Sequence, residues 1–300
     1  MFRTGVINVD SKEYPDALKQ ALKKLVLSSG PKKLYYKGVW DNHLFENCLA
    51  VVGSRKLTSY GRKATEQIVT EVASAGITIV SGFMYGGDEA AHSACVKCGG
   101  RTIAVMPCGI DLIHPENQKE LYNEILDNNG LIISEYEGTT LPQQFTYIQR
   151  DRIVAGLSKA VLVTEAALNS GSLITASYAK KMDKKIFAIP GQITSEVAQG
   201  TLKLIKEGAE PVADAQDILK FFNVLVSQKK NAALPSFAKA SEGKCCTLEE
   251  KIIDALKRES MKADDMARLF CIPVSQIGTT LSLMQLKGLI NCDSGKYYLN

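Results

Sequence analysis

Short runs of β-branched and aliphatic residues alternate with stretches of helical periodicity over most of the chain, from Leu49 to about Asn223. This alternation predicts an α/β fold with a doubly wound, mainly parallel sheet that is covered by helices on both faces. The predicted strands are LAVVG, ITIVSG, TIAVMP, LIISEY, AVLVTEA and KIFAIP.

Helical periodicity is clearest between the first two predicted strands. Ile68, Val69 and Val72 recur at the spacing of one helix face, and Gly76 is placed to end that helix. The stretch PENQKELYNEILDNNG repeats the pattern before the strand that begins at Leu131. A helix between two strands predicts a βαβ unit, the repeating element of a parallel sheet.

The residues before and after this region differ from it in pattern. Residues 1–45 contain one predicted helix, YPDALKQALKKLVL, and one extended piece, KLYYKG. We expect them to form an N-terminal extension that packs on the main domain, residues 46–225. Residues 226–244 are polar, rich in small residues and interrupted by Pro235, a composition that is typical of linkers.

The last segment, residues 245–300, predicts three helices followed by a hairpin. The helical stretches are LEEKIIDALKRE, KADDMARLF and VSQIGTTLSLMQLKG, and Asp293-Ser294-Gly295 is a turn signal between two short apolar runs. This order of elements predicts a small winged-helix domain. The stretch FCIPVSQIGTTLSLMQ contains no Lys or Arg, which favours protein docking or weak DNA binding over the reading of duplex DNA.

Composition narrows the class of protein only a little. With 300 residues and 45% hydrophobic content the chain is long enough to bury a large core, and its net charge of +4 is too small to indicate nucleic acid binding by itself. No apolar run reaches the length of a membrane span, and the N-terminus lacks the apolar core of a signal peptide. We therefore expect a cytoplasmic protein, with its eight cysteines reduced.

Glycine and serine recur directly after the predicted strands, in the loops VVGSRK, SGFMYGGDEAAH, PCGIDLIHP and EAALNSGSLITA. Ligands of open α/β sheets bind beyond the carboxyl ends of the strands, so these loops predict one rim whose main-chain amides bind phosphate. Gly53 allows the main chain to approach a phosphate closely, and the Ser54 hydroxyl is able to donate a hydrogen bond to it. The Arg55 guanidinium is able to form a bidentate contact with the phosphate. Ser170 or Ser172 is expected to cap the helix that follows. A simple turn or cap explains any single loop, whereas four loops on one rim favour a binding site.

Two common nucleotide-binding motifs are absent from the sequence. The loop VGSRKLTSYG lacks the second and third glycines of a dinucleotide fingerprint. No glycine-rich loop ends in Gly-Lys-Ser/Thr, as a Walker-type ATPase requires. We therefore expect no nucleotide cofactor and no coupling to ATP.

The segment QFTYIQRDRIVAGLS combines arginines with aromatic residues. Arg150 and Arg152 lie near Phe145 and Tyr147, and this combination suits a single strand, because guanidinium groups bind phosphates and rings stack on bases. Tyr85, in the second loop, is able to act in the same way. The competing interpretation places the aromatic residues in the core and the arginines in solvent, and this segment alone does not separate the two.

Neither a metal site nor a catalytic group is strongly indicated. Cys95 and Cys98 form a C-x-x-C pair, but no second pair or histidine lies at ligand spacing, so no metal is expected. Asp88 and His92 lie one helical turn apart beside the predicted rim. They form either an acid/base pair or a brace for the loop.

Eight short motifs occur in an order that resembles the DprA/Smf family of DNA-processing proteins. The similarity covers the chain from about Tyr14 to Ala215 and then the C-terminal segment. The motifs are VVGSRK, SGFMYGGDEAAH, GGRTIAVMPCGID, SEY, RDRIVAGLS, SGSLITA, FAIPG and GTLKLIKEGA.

The resemblance implies a Rossmann-like domain that binds single-stranded DNA without catalysis, forms a homodimer, and loads a RecA-type recombinase during natural transformation or recombination. By position, the phosphate-binding Gly-Ser-Arg of the family falls on the first loop, its basic loop on Arg150 and Arg152, and its Ser-Gly-Ser turn on the loop before the sixth strand. The predicted nucleic-acid-binding residues are Gly53, Ser54, Arg55, Lys56, Gly82, Tyr85, Phe145, Arg150, Arg152, Ser170, Gly171, Ser172 and Thr175.

The chain departs from the family pattern at Met84, Tyr85, Gly87, Asp151 and Leu202. The family usually has isoleucine in place of Gly87 and asparagine in place of Asp151. The change at Asp151 matters most, because a carboxylate beside a phosphate path repels DNA unless an arginine neutralises it.

Two other functions stay open as alternatives. Lysine-decarboxylase-like phosphoribohydrolases have a related fold, but their PGGxGT loop is replaced here by PGQITSEVAQGT. If the chain is such an enzyme, Asp88 or Glu165 is expected to take part in the hydrolysis of a nucleoside monophosphate. A transcription regulator would instead bind duplex DNA through the winged helix, where basic residues are scarce.

Overall fold

In the computed structural model of the chain, residues 2–25, 30–224, 248–256, 261–270, 272–286, 289–293 and 296–299 are described. The chain divides into two compact units, residues 1–229 and 230–300. The predicted linker, residues 226–244, lies outside the described residues.

The first unit is built on a mixed sheet with the strand order β1-β2-β6-β5-β4-β3-β7-β8-β9. The strands from β6 to β9 in this order are all parallel, whereas β2 runs antiparallel to β6 and β1 antiparallel to β2. All six predicted strands are present, and the prediction of an α/β fold with a mainly parallel sheet is confirmed. The strands are β1 (Thr4–Asn8), β2 (Lys33–Gly38), β3 (Cys48–Val52), β4 (Thr78–Ser81), β5 (Thr102–Gly109), β6 (Leu131–Tyr136), β7 (Ala160–Val163), β8 (Lys185–Ala188) and β9 (Glu210–Pro211).

Helices connect these strands and cover both faces of the sheet. Within the described residues, none of them combines the length and apolar composition that crossing a membrane requires. The helices of the first unit are α1 (Asp16–Lys23), α2 (Ser59–Ser74), α3 (Gly87–Lys97), α4 (Lys119–Asp127), α5 (Gln144–Leu157), α6 (Ser172–Lys181), α7 (Gln199–Lys206) and α8 (Ala215–Phe221), with short 3-10 turns at Asn42–Phe45, Glu116–Gln118 and Glu196–Ala198.

The central strand β3 shows why the apolar runs are continuous. Successive side chains of a strand point to opposite faces of the sheet. Ala50 and Val52 pack in the core beneath α1, α5 and α6, whereas Leu49 and Val51 pack in the core beneath α2, α3 and α8. Because both faces are buried, both sets of positions are apolar.

The N-terminal residues are an integral part of the first unit. Beyond the predicted helix and extended piece, the structure adds β1, so that β1 and β2 continue the sheet past β6. Leu18 of α1 is fully buried against α5, where a Cβ atom on Gly156 would lie 2.5 Å from the Leu18 Cδ1 atom. The extension therefore completes the core beneath α5 and does not merely cover it.

The second unit contains the predicted order of three helices and two antiparallel strands. The elements are α9 (Leu248–Leu256), α10 (Ala263–Phe270), α11 (Val274–Leu286), β10 (Ile290–Asp293) and β11 (Lys296–Leu299). Ile252, Met266, Ile277, Leu281 and Met284 form its small core. Leu283 lies on the exposed face of the same helix, α11.

Leu18→Ala tests whether α1 supports the first unit. Removing a fully buried leucine side chain leaves a cavity, so we expect the free energy of unfolding to fall by about 2–5 kcal/mol in urea titrations. Leu141→Ala is the matched control, because Leu141 is 69% exposed and its loss should have an effect within about 0.5 kcal/mol. If Leu18→Ala lowers the free energy of unfolding no more than this control range of about 0.5 kcal/mol, α1 does not contribute to the stability of this core.

Candidate nucleic-acid interface

A groove of about 860 Å³ opens at the carboxyl edge of the sheet, beyond the ends of β3 and β7. From β3 the chain builds outward through β4, β5 and β6, and α5 then returns it to β7 on the other side of β3. This reversal is the switch point at which open α/β sheets bind their ligands. Of the predicted site residues, the groove is lined by Gly53, Ser54, Arg55, Lys56, Arg150, Ser170, Gly171, Ser172 and Thr175.

The loops after β3 and β4 are in direct main-chain contact. The Gly87 N–H donates to the Ser54 carbonyl oxygen at 3.1 Å, and a Cβ atom on Gly87 would lie 2.6 Å from the Gly53 Cα atom. An isoleucine at position 87, as is usual in the family, would force these loops apart. The glycine that replaces the usual isoleucine at position 87 therefore allows the two loops to contact each other on one side of the groove.

The loop before α6 presents free main-chain donors to the groove. Among the residues that the structure describes, the N–H groups of Gly171 and Ser172 have no acceptor, and neither has that of Arg55. The expected side-chain cap is not formed: the Ser170 and Ser172 hydroxyls bond to each other at 2.8 Å. Free amides at a helix N-terminus, where the helix dipole is positive, attract anions.

Two exposed cations lie beside these amides. Arg55 and Lys56 are exposed, and neither forms an ion pair with any residue described in the structure. The Arg55 guanidinium lies over the Tyr147 ring, 5.4 Å from its centroid. The Tyr147 hydroxyl is in turn hydrogen bonded to His114 Nε2 at 2.7 Å.

The structure corrects the expected surface position of Arg150. Its side chain is only 5% exposed, and its Nη1 donates to the carbonyl oxygens of Gly82 and Val105, the latter at 2.9 Å. Its Nε donates to Asp151 Oδ1 at 3.0 Å. The guanidinium therefore lies in the floor of the groove, where its Nε and Nη1 donors are occupied by protein, because α5 packs directly on the sheet.

The expected surface position of Arg152 is corrected in the same way. It is 4% exposed and does not line the groove. Its Nη2 donates to both carboxylate oxygens of Glu135 at 2.8 Å. This buried ion pair joins α5 to the end of β6, so its role is structural in this arrangement.

The acids of the groove floor are perturbed by burial. Burial raises the pKa of Asp151 to about 6, against the opposing effect of the Arg150 charge, and the neighbouring Asp88 raises it further. Burial also raises the pKa of Asp88, whose Oδ2 accepts from the Met84 N–H at 3.3 Å. The ion pair with Asp151 places a carboxylate against the Arg150 charge within the floor.

The remaining predicted residues lie around the groove and do not line it. Gly82 is buried and serves as an acceptor for Arg150. Tyr85 is 40% exposed, and its hydroxyl donates to Asn117 Oδ1 at 2.9 Å. Phe145 lies in the first turn of α5 and is 51% exposed.

Sequence reasoning missed Glu196 and the contact between His114 and Tyr147. Glu196 is an exposed carboxylate that lines the groove from the 3-10 turn after β8. His114 follows β5. Both come after strands whose carboxyl ends lie at this edge, so their position in the strand order was the available signal.

The residues proposed for hydrolysis have other partners. Glu165 accepts from the Thr58 N–H at 2.9 Å and from the Thr58 hydroxyl at 2.6 Å, which fixes the start of α2. His92 is fully buried beside Thr102, and burial lowers its pKa to about 3. Asp88 and His92 thus match the interpretation as a brace for the loop.

A family model for DNA recombination-mediator protein A matches residues 5–223 of the chain. Protein Smf of Escherichia coli (strain K12) is 33% identical over 293 residues, which cover 97% of this chain and 76% of that protein. DNA processing protein DprA of Streptococcus pneumoniae is 41% identical over 192 residues, which cover 64% of this chain and 67% of that protein.

Solved structures agree with these sequence relationships. The X-ray structure of DprA from Streptococcus pneumoniae superposes with a TM-score of 0.66 and 36% identity, over 73% of this chain and 74% of that chain. DNA processing protein A from Helicobacter pylori, whose structure concerns a unique single-stranded DNA binding mode, gives a TM-score of 0.64 and 31% identity, over 74% of this chain and 96% of that chain.

The fold and the groove define a doubly wound α/β protein whose candidate ligand site lies at the switch point of the sheet. Within this class, the chain belongs to the DNA recombination-mediator protein A family, the DprA/Smf proteins. The resemblance drawn from the eight sequence motifs is confirmed.

Asp151→Asn tests the buried charge of the groove floor. In the folded protein the pKa of Asp151 lies at about 6, above the ordinary value of 3.8, so its contribution to stability falls as the pH rises between these values. Asparagine cannot ionise, so the variant does not lose stability in this way. The free energy of unfolding of the variant minus that of the parent should therefore increase by up to about 3 kcal/mol between pH 3.8 and 6. Urea unfolding at several pH values measures this difference, and parallel pH profiles of the two proteins would contradict it.

Proposed function

We propose that the groove binds the backbone of single-stranded DNA and that the protein acts as a mediator without catalysis, loading a RecA-type recombinase onto that DNA. The observation that carries the proposal is the pair of amides at Gly171 and Ser172, which have no acceptor within the described part of the chain and line the same groove as the exposed Arg55. The binding of single-stranded DNA by the Helicobacter pylori relative supports this choice of ligand.

The chemistry of the groove suits a phosphate backbone. Main-chain N–H groups and a guanidinium donate hydrogen bonds to phosphate oxygens and cannot accept, so they favour an anion over a neutral ligand. The exposed rings of Phe145 and Tyr85 lie beside the groove, where unstacked bases are able to contact them. Bases paired in a duplex do not offer their faces to such rings, so we expect a preference for single strands.

The absence of catalysis is part of the proposal. Glu165 and Asp88 already accept hydrogen bonds from protein groups, and the low pKa of the buried His92 keeps its imidazole neutral. These partners support a structural role for the residues that the hydrolase alternative would need.

The assembly of the protein is also proposed. We assign the DNA-binding domain to residues 46–225, completed by the N-terminal strands, and a winged-helix domain to residues 245–300. Helix α11 carries no Lys or Arg, which supports protein docking as the role of that domain. A homodimer is proposed from the family resemblance, and a cytoplasmic location from the sequence expectation given above.

Arg55→Ala tests the phosphate contact. Loss of one charge-assisted hydrogen bond should weaken binding to oligo-dT about tenfold in fluorescence anisotropy. The slope of log affinity against log salt should fall by about 0.7, the value for one phosphate contact on a single strand. Arg101→Ala is the matched control, because Arg101 precedes β5 at the opposite edge of the sheet. An unchanged affinity for the Arg55 variant, or an equal loss in the control, would contradict the proposed site.

Phe145→Ala tests the contact with bases. Stacking of one base on an aromatic ring contributes about 1–3 kcal/mol to binding, and we expect a loss in this range for oligo-dT. The salt slope should stay unchanged, since stacking releases no counterions. Phe2→Ala provides the control, as Phe2 is 41% exposed and belongs to the N-terminal residues. Unaltered binding by the Phe145 variant would remove this residue from the interface.

A further inference from the structure

A chain of three side chains links the loop after β5 to the groove. His114 Nε2 is hydrogen bonded to the Tyr147 hydroxyl at 2.7 Å, with the two rings in an edge arrangement 6.1 Å apart. On the other side, the Arg55 guanidinium lies 5.4 Å from the centroid of the Tyr147 ring. Arg55 and Tyr147 both line the groove.

The arginine has few other restraints. Its side chain is exposed, and it takes part in no ion pair or side-chain hydrogen bond with the residues that the structure describes. A long side chain of this kind samples many rotamers in water, and binding a phosphate in one of them is entropically unfavourable. The face of an aromatic ring attracts a guanidinium and narrows this range of rotamers.

The tyrosine ring is restrained by its surroundings. Tyr147 lies in α5, which is largely buried on the sheet from Arg150 onward, and its ring is half-buried. Its hydroxyl contact with His114 limits rotation of the ring on the other side. Burial lowers the pKa of His114, and the nearby Arg55 charge lowers it further, which favours the neutral imidazole, a form that does not repel the guanidinium.

We propose that Tyr147, oriented by His114, is a positioning residue that holds Arg55 over the groove for its contact with phosphate. This inference rests on the proposed function, because it assigns a role to Tyr147 only through the DNA contact of Arg55. It differs from base stacking, in which Tyr147 would itself bind DNA.

A double-mutant cycle on the full chain separates these roles, with oligo-dT binding measured by fluorescence anisotropy. The variants are Arg55→Ala, Tyr147→Leu and the double variant, and Tyr147→Phe keeps the ring without the hydroxyl. Leucine retains apolar volume at position 147, so the variant should fold, and thermal unfolding checks this.

We expect Tyr147→Leu to weaken binding about two- to fivefold when Arg55 is present, and Tyr147→Phe to weaken it less. In the Arg55→Ala background, Tyr147→Leu should change affinity by less than about twofold, because its effect passes through the arginine. The slope of log affinity against log salt for the Tyr147→Leu variant should move toward the slope for the Arg55→Ala variant.

Equal losses from Tyr147→Leu in both backgrounds would overturn the inference and indicate that Tyr147 contacts DNA directly or only supports the fold. Equal losses from leucine and phenylalanine would also overturn it, since the ring would then not matter. If Arg55→Ala itself leaves affinity unchanged, the proposed phosphate site fails and the inference fails with it. The cycle thus distinguishes failure of the positioning role from failure of the proposed function.

Discussion

The Arg150 guanidinium lies beneath the groove and donates to the main-chain carbonyls of Gly82, directly after β4, and Val105, within β5. A buried charge is stable only when protein groups replace the water that it has lost. Here those groups join α5 to the strands that carry the rim loops, and Asp151 accepts a hydrogen bond from the Arg150 Nε. A residue that the sequence predicts as a DNA contact is therefore part of the scaffold beneath the proposed site.

This arrangement changes how the groove attracts an anion. Arg150 and Arg152 form ion pairs inside the protein, so the proposed attraction to phosphate depends on Arg55, Lys56 and the amides before α6 that have no acceptor among the described residues. Hydrogen-bond donors of this kind act at short range and in fixed directions. A small net charge of the whole chain is compatible with such a local site.

The sheet and its rim were predictable because they depend on local patterns. Buried strands such as β3 need apolar residues on both faces, and the glycines after them mark loops where main chains approach closely, as Gly53 and Gly87 do. The burial of Arg150 and Arg152 was not predictable from residue type, because it depends on the face of α5 that packs on the sheet. The apolar run IVAGL directly after them, together with Glu135 at the end of a predicted strand, was the signal for a buried helix with internal ion pairs.

The central claim is that main-chain amides at the switch point of the sheet bind the DNA backbone. Titration of nitrogen-15-labelled protein with oligo-dT, followed by amide chemical shifts, observes these groups directly. The account predicts large shifts for the Gly171, Ser172 and Arg55 amides, with little change at Gly76 and Gly99 at the opposite edge of the sheet. Binding that shifts other amides and leaves these three unchanged would contradict it.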